Sequence, residues 1–215
     1  MSELKLKVVA TASGGRPAKI SRERILQEAR QLGAGELTFA RIAERLGVRQ
    51  QALYYHFDSR EDLLHAIALE LSREFDLQPG NPKRWRSWLE ETGLRFYDFL
   101  VANPVVLETS NWRGLARFGL PLLEAALETL QGAGYTLEEA GRAWDVVADL
   151  AYAEARTLAE SKKAGPMPAR VDLDEIAGRP MPRTRAYYAQ IEKLPRKRFA
   201  DTLHWLVAAL PRPRK

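Results

Sequence analysis

From Ser21 to Leu210 the apolar side chains recur every third or fourth position, and no stretch of any length alternates apolar with polar residues. That spacing matches the 3.6-residue turn of an α-helix and gathers the apolar side chains on one stripe, whereas a half-buried strand would need a period of two. The chain is therefore expected to be all-α. With 46% apolar residues in 215, it can fill one large core or two modest ones.

Capping and glycine signals divide the first part of the chain finely. Residues 1–19 lack periodicity and end in Gly14-Gly15-Arg16-Pro17-Ala18-Lys19, which reads as a flexible basic arm. Ser21 is a candidate N-cap for a helix carrying Ile25, Leu26, Ala29 and Leu32, with Gly33 to stop it. Thr38 caps the next, in which Phe39, Ile42, Ala43 and Leu46 form a stripe at i, i+3, i+4 and i+7 before Gly47 ends the run. Arg49 to Phe57 reads as a third short helix, with Leu53 and Phe57 inward and Arg49, Gln50, Gln51 and Tyr54 on the other face. Ser59 with Asp62 makes a capping-box pattern for a fourth helix that buries Leu63, Leu64, Ile67 and Leu71. Two short helices joined by a glycine turn, among four in roughly 55 residues, outline a helix-turn-helix domain over residues 20–66.

The remainder, residues 67–215, stays helical after the turn Gln78-Pro79-Gly80-Asn81-Pro82. Trp85, Trp88, Leu89, Phe96 and Leu100 suggest one helix, Pro104 interrupts, and Pro121 to Gln131 carries another stripe. Thr136 and Glu139 form a second capping box that opens a long, alanine-rich helix to about Glu160. Lys162 to Pro182, with prolines at 166, 168, 180 and 182, is expected to be a loop. Leu194 to Leu210 returns to helix, with Phe199, Leu203, Leu206 and Leu210 in register.

Charge and composition narrow the function. The formal net charge of +5 lies entirely within the first 60 residues, and the remaining acidic and basic residues cancel. Such a patch attracts polyanions at long range. No apolar run approaches the ~20 residues needed to span a bilayer, and the N-terminal stretch is too short for a secretory signal, so a cytoplasmic location is expected. There is no cysteine, and His56, His65 and His204 are too scattered for a metal motif, so neither a metal nor another cofactor is expected. Glu108, Asp145, Asp149 and Glu154 could in principle supply an acid and a base. Without a nucleophile elbow, phosphate loop or metal spacing, however, the chain is not expected to be an enzyme.

The stretch from Leu37 to Phe57 has a physical logic. Ala43 is small where two helices cross, Gly47 admits a left-handed turn, and outward Gln and Arg side chains can pair with adenine and guanine edges in a major groove. Together with Asp58-Ser59-Arg60-Glu61-Asp62-Leu63-Leu64, and with the aromatic ending Leu53-Tyr54-Tyr55-His56-Phe57, it resembles the DNA-binding domain of the TetR family of bacterial regulators over about residues 18–72. More loosely, the larger part is similar to the tetracycline-repressor branch, including Gly134-Tyr135-Thr136-Leu137-Glu138 ahead of the long helix.

The resemblance implies a transcriptional regulator: a ligand-responsive repressor acting as a homodimer on a palindromic double-stranded operator. It puts Gln50, Gln51 and Tyr54 at base edges and Thr38, Tyr55, His56 and Arg60 at phosphates, with Arg41 and Arg49 able to serve either purpose. Tyr54 and Tyr55 could instead be core. Asp58 stands where many relatives have a basic residue, which puts that contact in doubt. Arg16 and Lys19 resemble a minor-groove arm, an inert tail being the alternative. Dimerisation would use helices near 137–160 and 194–210, although a monomeric core would use the same stripe. A small organic effector would meet Trp88, Phe96, Trp112, Arg113, Phe118, Trp144 and Tyr152, ordinary core being the alternative for each. Val105 to Trp112 lacks the histidine with which repressors take up metal-chelated tetracycline, so a largely apolar or aromatic molecule is expected. The alternative reading is a DNA-bound adaptor protein with no small-molecule effector.

Overall fold

The computed structural model describes residues 20–32, 36–75, 77–108, 112–164, 173–191 and 194–213, and among them all regular structure is helical. Gly33 and the arm containing Arg16 and Lys19 lie outside the described residues.

Helix α1 (Arg22–Arg30) starts where the Ser21 hydroxyl accepts the Arg24 N–H at 3.3 Å, and it buries Ile25, Leu26 and Ala29. Helix α2 (Phe39–Leu46) starts in the same way on Thr38 and buries Phe39, Ile42 and Ala43. It ends in a Schellman arrangement: the Gly47 N–H reaches the Glu44 carbonyl at 3.1 Å, and the Val48 N–H reaches that of Ala43 at 3.0 Å. The left-handed φ of 64° at Gly47 makes this possible. Arg45 ties α2 to α1 through Glu28 (2.8 Å) and Gln31 (2.6 Å).

The third short helix, expected from Arg49 to Phe57, is a 3-10 turn over Gln50–Tyr55. Arg49 offers no side-chain cap, and the segment is closed by tighter bonds such as Ala52 N–H to Arg49 O (2.9 Å). Leu53 and Phe57 still point inward and are buried.

Helix α3 (Arg60–Glu74), capped by the Ser59 hydroxyl on the Asp62 N–H at 3.1 Å, runs from this small unit into the larger one. It packs against α1 on one side, and against α5 (Trp112–Gly132) and the 3-10 turn Pro104–Glu108 on the other. Before α4 (Trp85–Ala102) the chain is fastened down. The Gly80 N–H donates to the Thr129 hydroxyl at 2.8 Å, and the Trp88 indole N–H donates to the Gln78 carbonyl at 3.3 Å. A Cβ on Gly80 would lie 2.2 Å from the Trp88 ring, so only glycine fits beneath it.

In the larger unit α6 (Leu137–Ala164) packs most extensively on α4, with contacts to α5 and to α9 (Pro195–Ala209). The reciprocal Thr136–Glu139 capping box opens α6. Gly93 allows α4 to approach closely, since a Cβ there would sit 2.9 Å from both Leu203 and Val147. Tyr97 stacks on Phe199 at 4.3 Å.

Two sequence expectations require correction, and one open alternative is decided. Helix α5 begins at Trp112, well before Pro121, which lies inside it. Pro121 is exposed, so the carbonyl that loses its partner to the missing donor can face water. The expected loop from Lys162 to Pro182 contains the end of α6 and helix α7 (Leu173–Ala177), and α8 (Pro182–Ile191) begins at its far end. The Asp174 carboxylate joins α7 to α8 by accepting the Met181 N–H at 2.8 Å and pairing with Arg185 at 3.0 Å. Finally, Phe199 and Leu203, on a stripe that could serve either a dimer or the protomer's own core, are buried within the protomer together with Val207. The outward side of α9 carries Trp205, which is 78% exposed.

Candidate nucleic-acid interface

The polar residues assigned to base edges lie on the 3-10 turn, held there from beneath by buried Leu53 and Phe57. Gln50 and Gln51 are exposed. Tyr54 is half exposed, with its ring 4.8 Å from that of Phe39, so it packs on α2 while keeping its outer edge in solvent. Tyr55 is 89% exposed and so does not belong to the core. An aromatic side chain left this open on a rigid turn is available to a partner.

The other assigned residues surround this row. Thr38 is exposed, and its hydroxyl is already engaged as the α2 cap. Arg41 pairs with Glu44 at 2.6 Å, and Arg49 is exposed at the entrance to the turn. The Arg60 Nε donates to the Leu37 carbonyl at 2.9 Å, which anchors the start of α3 to the approach to α2. His56 is half-buried where the turn ends, and its N–H donates to the Leu53 carbonyl.

A residue absent from the sequence assignment stands behind the turn. The Arg22 guanidinium donates to the His56 carbonyl at 2.6 Å and lies over the Phe57 ring at 4.1 Å. Beside it the Glu23 carboxylate is held below its ordinary range by backbone hydrogen bonding, then by the Ser21 hydroxyl, with a smaller contribution from the His56 imidazole. The sequence does carry a signal for Arg22. It occupies the first position of α1, where the helix dipole disfavours a cation, so its role has to come from elsewhere in the fold.

The effector candidates fall into separate places. Phe96 and Trp144 meet in the core with ring centroids 6.2 Å apart, and both are almost fully buried. Trp88 is committed to the linker, and the Tyr152 hydroxyl donates to the Leu107 carbonyl at 2.9 Å. The side chains of Trp112, Arg113 and Phe118 lie outside the described residues. No helix among the described residues is long and apolar enough to cross a membrane.

A glycine-hinged pair of short helical elements, carried by one long helix into a helical bundle, defines a two-part all-α protein of the helix-turn-helix class. Residues 25–67 match the family described as bacterial regulatory proteins, tetR family. Tetracycline repressor protein class C of Escherichia coli is 37% identical over 91 residues, a stretch covering 39% of this chain and 41% of that protein. The match thus spans less than half the length of this relative. Among solved structures, TetR from Acinetobacter baumannii AYE aligns with a TM-score of 0.65 at 22% identity, over 88% of this chain and 95% of that one. The TetR family protein ActR of Streptomyces coelicolor, in complex with actinorhodin, aligns with a TM-score of 0.62 at 22% identity, over 90% and 96%. At these identities the two structures show a shared fold.

Proposed function

We propose that this chain is a cytoplasmic, sequence-specific transcriptional regulator, a ligand-responsive repressor that binds a palindromic operator as a homodimer. The observation that carries the reading is the exposed row Gln50, Gln51, Tyr54 and Tyr55 on a turn fixed by two buried side chains. Amide side chains at fixed positions can form paired hydrogen bonds to adenine edges, and the surrounding basic residues supply phosphate attraction. One such unit reads one half-site, so a twofold partner is needed to read a palindrome.

The outward faces of α6 and α9 support that pairing. Val146 and Trp205 are exposed there, and a large exposed aromatic flanked by small residues such as Ala208 and Ala209 suits a subunit contact. An effector is supported by the company the chain keeps, since one relative is a tetracycline repressor and a protein of the same fold holds actinorhodin. Phe96 and Trp144 would form the aromatic side of the effector site. Selection of bound sequences from random duplex DNA by the purified chain tests the reading. It should return an inverted repeat, and Gln50→Ala should relax preference at one or two base pairs by ~1–3 kcal/mol. Recovery of unrelated sequences, with affinity governed by duplex length alone, would reject it.

A further inference from the structure

We infer that Arg22 is a positioning residue for the 3-10 turn, holding the turn's C-terminal end through the His56 carbonyl instead of gripping a phosphate. This rests on the DNA reading above and names how the reading surface is kept in place.

The turn needs an outside anchor. It begins at Arg49 without a side-chain cap, and 3-10 bonds have poorer geometry than those of an α-helix. Its end leaves carbonyl groups without a partner from the next turn. Arg22 satisfies one of them, that of His56, at 2.6 Å, and its face covers Phe57, the buried residue that closes the turn. A guanidinium centred over a ring and donating to a carbonyl is held at two points. The opposite end of the unit has a matching tie, Arg60 Nε to the Leu37 carbonyl at 2.9 Å. The segment from Leu37 to His56, which contains α2 and the turn, is thus held at each end by an arginine from a neighbouring helix.

Base-edge hydrogen bonds are steep functions of geometry, whereas phosphate attraction is tolerant of small displacements. Loosening the Arg22 tie should therefore erode discrimination and spare general affinity. The full chain, wild type and with Arg22→Met or Arg22→Lys, is titrated across a salt series against two duplexes of equal length. One carries the sequence selected by the wild type and the other is scrambled.

Arg22→Met should weaken the selected duplex about 10-fold and the scrambled one less than about 2-fold, with the salt slope on scrambled DNA nearly unchanged. Arg22→Lys, which keeps a donor but not the planar stack, should recover part of the loss. Equal weakening on both duplexes with a slope shallower by about 1 would make Arg22 a phosphate ligand and overturn the inference. Unchanged binding to both would overturn it as well. A wild type that selects no sequence would instead refute the DNA reading itself. Retained affinity for scrambled DNA shows that the variant is folded.

Discussion

Replacing Gly47 and Gly119 by alanine, one at a time, should move stability in opposite directions. At Gly47 the backbone has φ 64° and ψ 35°, and no atom of the described residues lies within 4 Å of an added Cβ, so the penalty is conformational and not steric. An L-residue in the left-handed region costs roughly 1–2 kcal/mol, and alanine's stiffer unfolded chain returns about 0.4–1 of that, leaving a net destabilisation near ~1 kcal/mol. Gly119 lies inside α5 with no atom of the described residues within 4 Å of an added Cβ, so alanine there gains about 0.8–1 kcal/mol of helix propensity. For a chain of this size each kcal/mol is about 2–4 °C in Tm, well within reach of a thermal melt at one fixed protein concentration. Gly47→Asn should fall between glycine and alanine, because asparagine tolerates the left-handed region better. A common direction of shift for Gly47→Ala and Gly119→Ala would refute the assignment of Gly47 as a conformational hinge.

Two further outcomes follow from the larger unit. Trp205→Ala should leave the protomer's stability within about 0.5 kcal/mol of the wild type while weakening self-association about 10-fold or more, read by sedimentation; undiminished association would remove Trp205 from the interface. The Asp174 carboxyl is held below the ordinary value of 3.8 by the Arg185 side chain and the Met181 N–H. With the folded value depressed, the contact between α7 and α8 is complete above the free carboxyl's range and is lost as pH falls through the folded value. The Met181 amide resonance should therefore titrate with a midpoint below 3.8, and Asp174→Asn should abolish that step.

What the sequence disclosed depended on how local the cause was. The caps at Ser21, Thr38, Ser59 and Thr136 were legible because cap and partner lie within three residues of each other. Gly47 was legible because the stripe of α2 ends there. The partner of a stripe is non-local information: Phe199 and Leu203 declared a face of α9, but only the packing on α4 and α6 shows that this face turns inward. Helices α7 and α8 were missed because a long-range ion pair between Asp174 and Arg185 supports them in place of an apolar stripe. In the candidate site, the row of outward side chains could be read from the chain. The engagement of Tyr54 with Phe39, and the two arginine ties across 34 and 23 residues, could not.

The fastening of residues 78–82 has a mechanical consequence. With Gly80 lying under Trp88 and bonded to Thr129, the turn that follows α3 is tied to the larger unit at two points, and α3 spans from there to the small unit. Its 15 residues span about 22 Å, so a tilt of about 3° at the end resting on the larger unit displaces the Arg60 end by about 1 Å. That is about a third of the length of the Arg60–Leu37 hydrogen bond at that end.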